Sequence, residues 1–374
     1  VIIGGMAAGC KTASRLRRLL PDCDIKIIEK RSFLSYGACG MPFFASGDVD
    51  GFFDLAETQY GIVRDKEFFR KVKDVEAITE TEVTRIDKNS KTVFCKDQEG
   101  SESTYNYDVL VLATGATPLK PAFPVPDTDK ISTFHNPLDA KHFRQKAQTG
   151  QIGSAVIIGG GYIGCELAEA LNILWGIETT LVEKENRLLP RCTDKSISRL
   201  LEEKLSENDI NLKLSMMVEK IEEAGDQVIV YLQNGEKISA DHAFLCMGIR
   251  PEVTLAEQIG LRPGKFGGII VDENMRTSEP DIYAAGDCCE VKDFITGKPG
   301  FFPLGSLANR QGKVIADNIA GRDSKFPGAA GTISMKVYGF IIAGSGISEE
   351  IAKNMELDYR AVYASWNDRP HYHP

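Results

Sequence analysis

Hydrophobic runs along this chain follow a strand–helix–strand order that occurs twice. The first copy predicts a strand over 1–3, a helix over 7–20 and a strand over 25–29. The second copy predicts a strand over 155–158, a helix over 162–175 and a strand over 179–183. Each copy has a glycine-rich first turn, which is typical of a nucleotide-binding domain.

The remaining pattern predicts how the chain is divided. Alternating apolar and charged residues over 68–97 predict short antiparallel strands, and 108–115 predicts a buried strand ending in a glycine turn. Prolines between 118 and 126 predict a linker. A strand over 244–248 precedes the return of the chain to the first domain. The predicted segments are 1–117, 118–243, 244–326 and 327–374.

The first glycine turn has Gly4 and Gly9, and Glu29 follows Gly9 by twenty residues. This spacing suits a tight turn into a helix and a carboxylate that binds a ribose hydroxyl. Met6 occupies the middle position of the GxGxxG pattern, so this motif alone also fits an ordinary glycine-rich turn.

The second turn has the complete motif, at Gly159, Gly161 and Gly164. Glu183 follows the last glycine by nineteen residues, and the helix that begins near Tyr162 would face a pyrophosphate with its N-terminus. Glu183 favours NADH because a carboxylate repels the 2′-phosphate of NADPH. Lys184 and Arg187 nearby leave NADPH possible.

Cys39 is the candidate redox residue. It lies in the segment 32–42, ten residues after Glu29, which closes the first nucleotide-binding unit. A thiol at this place would lie beside the ring system of the first nucleotide. Two dinucleotide sites and one placed thiol predict an electron relay from nicotinamide through a flavin to sulfur.

The other cysteines predict packing and not a disulfide scaffold. The chain has nine cysteines with Cys39 included, an odd number, and none forms a CxxC pair that would support a zinc site, so we predict no metal. Most should be buried thiols in a reducing cytoplasm. We expect packing also for the vicinal pair Cys288 and Cys289.

Composition places the chain among globular proteins of two or three domains. Hydrophobic residues make up 43% and charged residues 26%, and no apolar run approaches the roughly 20 residues of a membrane span. The net charge of −9 argues against nucleic acid or an anionic membrane as the main partner. We interpret the start of the chain as a shortened first strand and not as a signal peptide.

Taken in order, these motifs resemble the flavin-dependent pyridine nucleotide-disulfide oxidoreductases. The matching pieces are the two glycine turns with their acids, Leu-Ala-Thr-Gly at 112–115 and the segment 277–287 that ends in Ala-Ala-Gly-Asp. The resemblance implies an α/β fold of two Rossmann-like, three-layer ββα nucleotide-binding domains with a truncated C-terminal α+β dimerisation domain. FAD would bind 1–117 with 244–326, and NADH, or possibly NADPH, would bind 118–243.

The family also implies roles for individual residues. Asp287 would hydrogen-bond the ribityl or phosphate region of FAD, Tyr162 would cover the flavin until nicotinamide displaces it, and Glu166 would be an acid near both rings. The full set of expected cofactor contacts is Gly4, Gly9, Glu29, Lys30, Ser35, Ala113, Thr114, Gly115, Asp287, Ala308, Gly159, Gly161, Ile163, Gly164, Glu183 and Gly248.

The single thiol distinguishes branches of the family. Leu34 and Phe44 exclude a CxxxxC pair, and Tyr36 and Pro42 exclude CxxC. The chain therefore resembles the branch of coenzyme A-disulfide reductases, persulfide or polysulfide reductases, NADH oxidases and NADH peroxidases. Oxidases and peroxidases of this branch have a histidine in the first glycine turn, where this chain has Ala7. This difference favours the coenzyme A-disulfide and persulfide reductases.

We therefore expect electrons to pass from NADH through FAD to Cys39, which reduces a coenzyme A disulfide, persulfide or polysulfide. One alternative is an NADH oxidase or peroxidase in which Cys39 cycles as a sulfenate. Another is an electron-transfer reductase for a ferredoxin- or rubredoxin-like partner, which has no use for Cys39. Because the thiolate is the reactive form, we expect the Cys39 pKa to lie well below about 8.5. Positive potential from the flavin, or from a helix that opens at 40–42, would lower it.

Coenzyme A would be a substrate or a bound ligand. Arg15, Arg17 and Arg18 on the first helix are candidates to reach its phosphates, and a solvated basic helix face is the alternative reading. The family also implies a homodimer whose partner contributes two tyrosines to this site. We assign no role to His135, His142 and His242. The family's C-terminal domain faces the partner's active site, so His371 and His373 could lie there, and a terminal histidine pair without a role is the alternative reading.

Overall fold

Residues 1–366 are described by the computed structural model, and their first part forms eight strands and three helices. These elements are β1 (Ile2–Ile3), α1 (Ala7–Leu19), β2 (Lys26–Ile28), α2 (Met41–Ser46), α3 (Lys66–Lys73), β3 (Glu76–Ile78), β4 (Thr81–Asp87), β5 (Thr92–Asp97), β6 (Glu102–Asn106), β7 (Leu110–Leu112) and β8 (Ala116–Pro118). Two 3-10 turns, Ala38–Gly40 and Phe52–Ala56, flank α2.

The middle of the chain folds into a second set of strands and helices. They are β9 (Ile131–Thr133), α4 (Pro137–Gln148), β10 (Ser154–Ile158), α5 (Tyr162–Ile173), β11 (Glu178–Val182), α6 (Lys195–Glu207), β12 (Asn211–Lys213), β13 (Val218–Ala224), β14 (Gln227–Leu232), β15 (Lys237–Ala240) and β16 (His242–Leu245). This set repeats the order seen in the first part, so the same fold is built twice.

The last described part returns to the first domain and then forms a hairpin and a helix. Its elements are β17 (Ile249–Pro251), α7 (Thr254–Gln258), β18 (Ile269–Ile270), β19 (Ile282–Ala284), β20 (Cys289–Lys292), β21 (Pro299–Gly300), α8 (Gly305–Ile319), β22 (Ile333–Val337), β23 (Phe340–Gly344) and α9 (Glu349–Asn354). His371 and His373 lie outside the described residues.

Two parallel five-stranded sheets organise these elements, with the orders β19-β7-β1-β2-β3 and β12-β11-β10-β16-β9. Each domain adds a three-stranded antiparallel sheet, β4-β5-β6 in the first and β13-β14-β15 in the second. Helices such as α1 and α5 connect neighbouring parallel strands. The predicted class of two Rossmann-like, three-layer domains is confirmed.

The predicted boundary between 243 and 244 falls inside a strand. β16 pairs with β10 and with β9, so it belongs to the second parallel sheet. The chain leaves that domain after β16, and β17 then pairs antiparallel with β8 to form the two-stranded connection between the domains. The apolar pattern of 244–248 predicts a strand, but it does not show whether that strand ends one domain or begins the next.

The predicted antiparallel strands over 68–97 begin later than expected. Residues 66–73 form α3, because the Asp65 side chain accepts a hydrogen bond from the Phe68 N–H as an N-cap. Glu67 also pairs with Arg70 and Lys71 at helical spacing. β3 then joins the parallel sheet beside β2, and β4 is the first of the antiparallel strands.

No helix in residues 1–366 is long and apolar enough to cross a membrane. The hairpin β22–β23 contributes Met335 and Val337 to the core of the second domain. Arg187 pairs with Glu350 of α9, and the Glu349 N–H donates to Asp194. The described start of the C-terminal segment therefore packs against the second domain.

The first domain is held together by close contact between α1 and α8. A Cβ atom on Gly312 would lie 2.5 Å from the Ala8 carbonyl oxygen and 2.9 Å from Thr12 Oγ1. The two helices can approach this closely only because Gly312 has no side chain. Arg15 on α1 also binds Asp317 on α8, with an Nη2–Oδ1 distance of 2.7 Å.

We expect Gly312→Ala to lower the free energy of unfolding by about 1–3 kcal/mol, because the new methyl group forces α1 and α8 apart. Thermal or denaturant unfolding measures this change. Gly305→Ala is the matched control on the same helix, since a Cβ atom there meets nothing within 4 Å. Equal stability of the two variants would contradict the packing argument.

Candidate active site

The first glycine turn is built by close backbone approach. Gly4 has a φ of +109°, and a Cβ atom on it would lie 2.1 Å from the Ala113 carbonyl oxygen. A Cβ atom on Gly9 would lie 1.9 Å from the Gly4 carbonyl oxygen. The carboxylate of Glu29, which is buried, accepts hydrogen bonds from the Gly5 N–H at 2.7 Å and the Arg31 N–H at 3.0 Å.

The second turn repeats this geometry. Gly159 has a φ of +116°, and its Cβ atom would lie 2.3 Å from the Cys246 carbonyl oxygen. The Glu183 carboxylate accepts from the Gly160 N–H at 2.6 Å and from the Glu185 N–H at 2.8 Å. A Cβ atom on Gly161 would meet nothing within 4 Å, so the backbone here faces open space.

The strand ends bring the other predicted FAD residues to the first turn. Gly286 lies against Ala8 and Ala308, so the segment that contains Asp287 meets the start of α1. The Thr114 hydroxyl donates to the Glu252 carbonyl at 2.6 Å. The Ser35 N–H donates to the Gly5 carbonyl at 2.8 Å, which ties the start of the Cys39 segment to the glycine turn.

The remaining predicted cofactor contacts, Lys30, Ile163 and Gly248, lie next to the two turns or between the domains. Lys30 is exposed immediately after Glu29, and Ile163 is half-buried as the second residue of α5. Gly248 lies in the connection between the domains, where its carbonyl accepts from the Leu119 N–H at 3.0 Å. The structure thus groups most of the predicted residues at two turns, with Gly248 between the domains.

Both turns fit a dinucleotide. Open backbone at a helix N-terminus binds a pyrophosphate, and a fixed carboxylate one strand away binds a ribose. Burial raises the pKa of Asp287 to about 6, and its carboxyl group has no hydrogen-bond partner within the described residues. A ligand hydroxyl group would satisfy Asp287, as the FAD assignment requires.

Cys39 lies in the 3-10 turn Ala38–Gly40 immediately before α2, as the predicted helix opening implied. All nine cysteines are free and lie within residues 1–366, and Cys39 alone is exposed. Cys288 and Cys289 are buried with their sulfur atoms 3.7 Å apart, which agrees with a packing role.

The groups around Cys39 disfavour its thiolate. Although the residue is exposed as a whole, its surroundings desolvate the sulfur, which raises the pKa of the Cys39 thiol. The carboxyl groups of Glu166 and Asp287 add to this rise in pKa. The residues of this chain therefore shift the Cys39 pKa in the direction opposite to the one we expected with the flavin's positive potential included.

Glu166 and Tyr162 lie on the first turns of α5, close to the second glycine turn. Burial raises the pKa of Glu166 to about 7, and Glu169 acts in the same direction. Burial also raises the pKa of the Tyr162 hydroxyl, next to the Cys192 thiol. Glu166 can thus exchange a proton near neutral pH, and its negative charge, when present, raises the pKa of Cys39.

A basic cavity of about 430 Å³ opens between α1, α3 and the start of the Cys39 segment. Its cationic lining residues are Lys11, Arg18, Arg64 and Lys73. Arg15 does not line this cavity, because it pairs with Asp317, and Arg17 binds the Asp74 and Pro21 carbonyls. The structure therefore argues against Arg15 as a phosphate ligand and retains Arg18.

Sequence reasoning missed three of these four cations. Lys11 precedes Arg15 on the same helix, but its direction depends on how α1 packs. Lys73 lies in a stretch interpreted as a strand, and Arg64 is in a connecting loop. Only the tertiary fold brings α3 beside α1, so no local pattern identified the cluster.

Comparison with known proteins agrees with this geometry. The family model described as Pyridine nucleotide-disulphide oxidoreductase matches residues 1–311. The chain belongs to this family. Membership confirms the predicted enzyme class, an oxidoreductase that uses FAD and a pyridine nucleotide.

The similar proteins include sulfur oxidoreductases and NADH oxidases. The "NAD(P)H sulfur oxidoreductase (CoA-dependent)" of Pyrococcus abyssi is 36% identical over 374 residues, which is 100% of this chain and 81% of that protein. The "NADH oxidase" of Methanocaldococcus jannaschii is 33% identical over 100% of this chain and 82% of its own length.

A solved structure matches both domains. The NAD-dependent persulfide reductase from A. fulgidus superposes with a TM-score of 0.96 at 42% sequence identity. The match covers 100% of this chain and 68% of that protein. The predicted resemblance to this branch of the family is confirmed.

We expect Glu166→Gln to speed the alkylation of Cys39 by iodoacetamide at pH 8 by about threefold. At that pH Glu166 is mostly ionised, because its pKa is about 7, and its negative charge opposes the Cys39 thiolate. Replacing this charge lowers the Cys39 pKa. Below pH 6 Glu166 is protonated, and the two enzymes should react at similar rates.

Mass spectrometry of the Cys39 peptide measures the rate in the FAD-loaded protein. Glu169→Gln is the control, because Glu169 acts on Glu166 and does not act directly on Cys39. Equal or slower alkylation of the Glu166→Gln variant at pH 8 would show that Glu166 does not oppose the thiolate.

Proposed function

We propose that this chain is an NADH-dependent, FAD-containing reductase that uses Cys39 to reduce a disulfide, persulfide or polysulfide of coenzyme A. The observation that supports it most directly is the exposure of Cys39, the one exposed thiol of nine. It lies in a turn before a helix, within electrostatic reach of Glu166 and Asp287. An exposed thiol without a neighbouring resolving cysteine in its segment suits a mixed-disulfide mechanism.

The basic cavity supports coenzyme A as the carrier of the substrate sulfur. Lys11, Arg18 and Lys73 offer flexible positive charges to phosphate groups, and Arg64 also donates to the Ala56 carbonyl at 2.9 Å. The cavity lining includes Ser35, Tyr36 and Gly37, so it reaches the chain two residues before Cys39. A phosphate-bearing thiol bound here would have its chain directed along the Cys39 segment.

In the proposed reaction, the Cys39 thiolate attacks one sulfur of the substrate. A new S–S bond forms to Cys39 while the substrate S–S bond breaks, and the leaving sulfur departs as a thiolate or hydrosulfide. Glu166, with its pKa of about 7, can hold the proton that the leaving sulfur takes up. FAD and NADH, when bound, would supply the two electrons that break the new S–S bond, which returns Cys39 to the thiolate and releases the attached sulfur compound as a thiolate or hydrosulfide.

The second turn supports NADH as the donor. Glu183 keeps its carboxylate fixed by two backbone N–H groups, where it would repel a 2′-phosphate. Arg187 is buried and donates to the Thr193 and Pro190 carbonyls, so it has no position from which to bind that phosphate. Lys184 is exposed and is the cation that leaves NADPH possible.

An NADH oxidase is the second candidate, and the identity to the M. jannaschii protein favours it. In this reaction Cys39 would be oxidised to a sulfenate by peroxide or oxygen. Ala7 lines the basic cavity and has no group that can donate a proton. The electron-transfer alternative gives the exposed Cys39 no role, and we do not favour it.

We also propose a homodimer in a reducing cytoplasm. Val362, Tyr363 and Trp366 are exposed by 86%, 68% and 86%, and large apolar side chains of this kind suit a subunit contact. No disulfide links any of the nine cysteines in the described structure, which suits a reducing compartment. Sedimentation analysis of the purified protein tests the oligomeric state.

We expect Cys39→Ser to abolish the reduction of coenzyme A disulfide and coenzyme A persulfide while FAD is still reduced by NADH. The serine hydroxyl cannot form the mixed disulfide, whereas the nucleotide turns are unchanged. Anaerobic NADH consumption and flavin absorbance measure the two steps.

The control for this substitution is Cys23→Ser, which changes a half-buried thiol in the loop after α1. It should retain turnover. Full turnover by the Cys39→Ser protein would end the single-thiol proposal, and activity only with oxygen or peroxide would move the assignment to the oxidases.

We expect Arg18→Gln to raise the KM for coenzyme A disulfide by about tenfold, because one phosphate contact of about 1.5 kcal/mol is lost. The KM for NADH should not change. Arg17→Gln is the matched control, since Arg17 lies on the same helix and binds Asp74. An equal effect of the two substitutions would exclude the cavity as the coenzyme A site.

A further inference from the structure

The Cys39 segment starts in the first domain, where Leu34 is part of the buried cluster, and from Tyr36 onward it joins the core of the second domain. Tyr36, Met41, Phe44 and Ala45 share one buried cluster with side chains of α4 and α5, such as Phe143. The buried cluster of the first domain contains no side chain from positions 36–56 among the described residues. The residues on both sides of Cys39 therefore pack against the second domain, which binds the nicotinamide nucleotide, although their sequence lies in the first.

Two donors from the second domain bind the C-terminal end of α2. Nη1 of Arg144 donates to the Phe44 carbonyl at 3.0 Å and to the Val49 carbonyl at 2.6 Å. Nε1 of Trp175 donates to the Ala45 carbonyl at 2.8 Å. Carbonyls at a helix C-terminus lack partners within the helix, so these bonds fix both the position and the direction of α2.

Packing fixes the same end of α2. The Arg144 guanidinium lies over the Phe44 ring, 4.6 Å from its centroid. A Cβ atom on Gly47 would lie 2.3 Å from Leu174 Cδ2, so the turn after α2 sits directly on the end of α5. The turn after α2 therefore contacts the end of α5 so closely that no side chain fits at position 47.

One helix connects this contact to the nucleotide turn. α5 begins at Tyr162, directly after the second glycine turn, and it contains Glu166. Trp175 follows closely after its C-terminal end. The helix α2, which directly follows Cys39, thus contacts the C-terminal end of α5, and the second glycine turn lies at the N-terminal end of the same helix.

We propose that Arg144 and Trp175 are positioning residues for Cys39, which they attach to the nicotinamide-binding domain. The proposal rests on the proposed function in one respect, namely that Cys39 is the redox thiol. Its consequence is that weakening this contact impairs the sulfur step while the reduction of FAD by NADH is retained. A purely structural role would instead change both steps, or neither, in proportion to lost stability.

The test uses FAD-loaded Arg144→Met protein. We expect the rate of flavin reduction by NADH to stay within about twofold, and kcat with coenzyme A disulfide to fall about tenfold or more, since small misplacement of a reacting group has effects of this size. The rate of Cys39 alkylation by iodoacetamide should change by about threefold or more, because the surroundings of the sulfur change. Arg144→Lys should recover part of kcat, because its ammonium can donate to one of the two carbonyls.

Lys146→Met is the matched control. Lys146 lies on the same helix as Arg144 and pairs with Asp129, so this change removes a charge without touching α2. If the Arg144→Met protein does not fold, as thermal unfolding would show, Trp175→Phe replaces it, since this variant keeps an aromatic ring and removes a single hydrogen bond. The Trp175→Phe protein should show the same selective loss.

Three results would overturn the proposal. They are an unchanged kcat and alkylation rate in folded Arg144→Met and Trp175→Phe proteins, an equal loss in Lys146→Met, and a parallel fall of flavin reduction. Alkylation needs no disulfide substrate, so its outcome is independent of the proposed reaction. Turnover that persists in Cys39→Ser would reject the proposed function, and the alkylation result would still show whether Arg144 positions the thiol.

Discussion

Close backbone contact at the two glycine turns is the constraint on which the rest of this structure depends. In both turns a Cβ atom at the last glycine would lie 1.9 Å from the carbonyl oxygen of the first, at Gly9 and at Gly164. This contact places α1 and α5 against their sheets and leaves Glu29 and Glu183 to bind the turn from the neighbouring strand. The close contact at each glycine turn therefore shapes both nucleotide sites. It also places α5, the helix that packs against the residues after Cys39.

The charges and the burial around Cys39 favour its protonated thiol over the reactive thiolate. Desolvation and the carboxyl groups of Glu166 and Asp287 all raise the pKa of Cys39, so the chain by itself stabilises the thiol. Because Glu166 has a pKa of about 7, its contribution to the raised Cys39 pKa is present above that pH and is lost below it. The positive potential that we expected at Cys39 would therefore have to come from bound FAD or substrate.

Local spacing was enough to predict the nucleotide turns from the sequence. Gly159, Gly161, Gly164 and Glu183 act within one β-α-β unit, so their separations along the chain already determine their geometry. The turn before α2 at Cys39 was predictable for the same reason, because Pro42 favours the first turn of a helix.

Features that depend on long-range packing were not predictable. Arg15 and Arg18 are three residues apart on α1, yet α8 binds the first and the cavity contains the second. Arg144 and Trp175 have no distinguishing motif, and only the folded chain brings them to the end of α2. β16 resembles any other buried strand until its pairing with β10 and β9 is known.

The central claim is that Cys39 forms a covalent bond to the sulfur of a coenzyme A substrate. The most direct measurement is mass spectrometry of the FAD-loaded protein after anaerobic incubation with coenzyme A disulfide in the absence of NADH. The account predicts one coenzyme A per chain, attached to the Cys39 peptide and released when NADH is added. An adduct on another cysteine, or no adduct under conditions that support turnover, would contradict it.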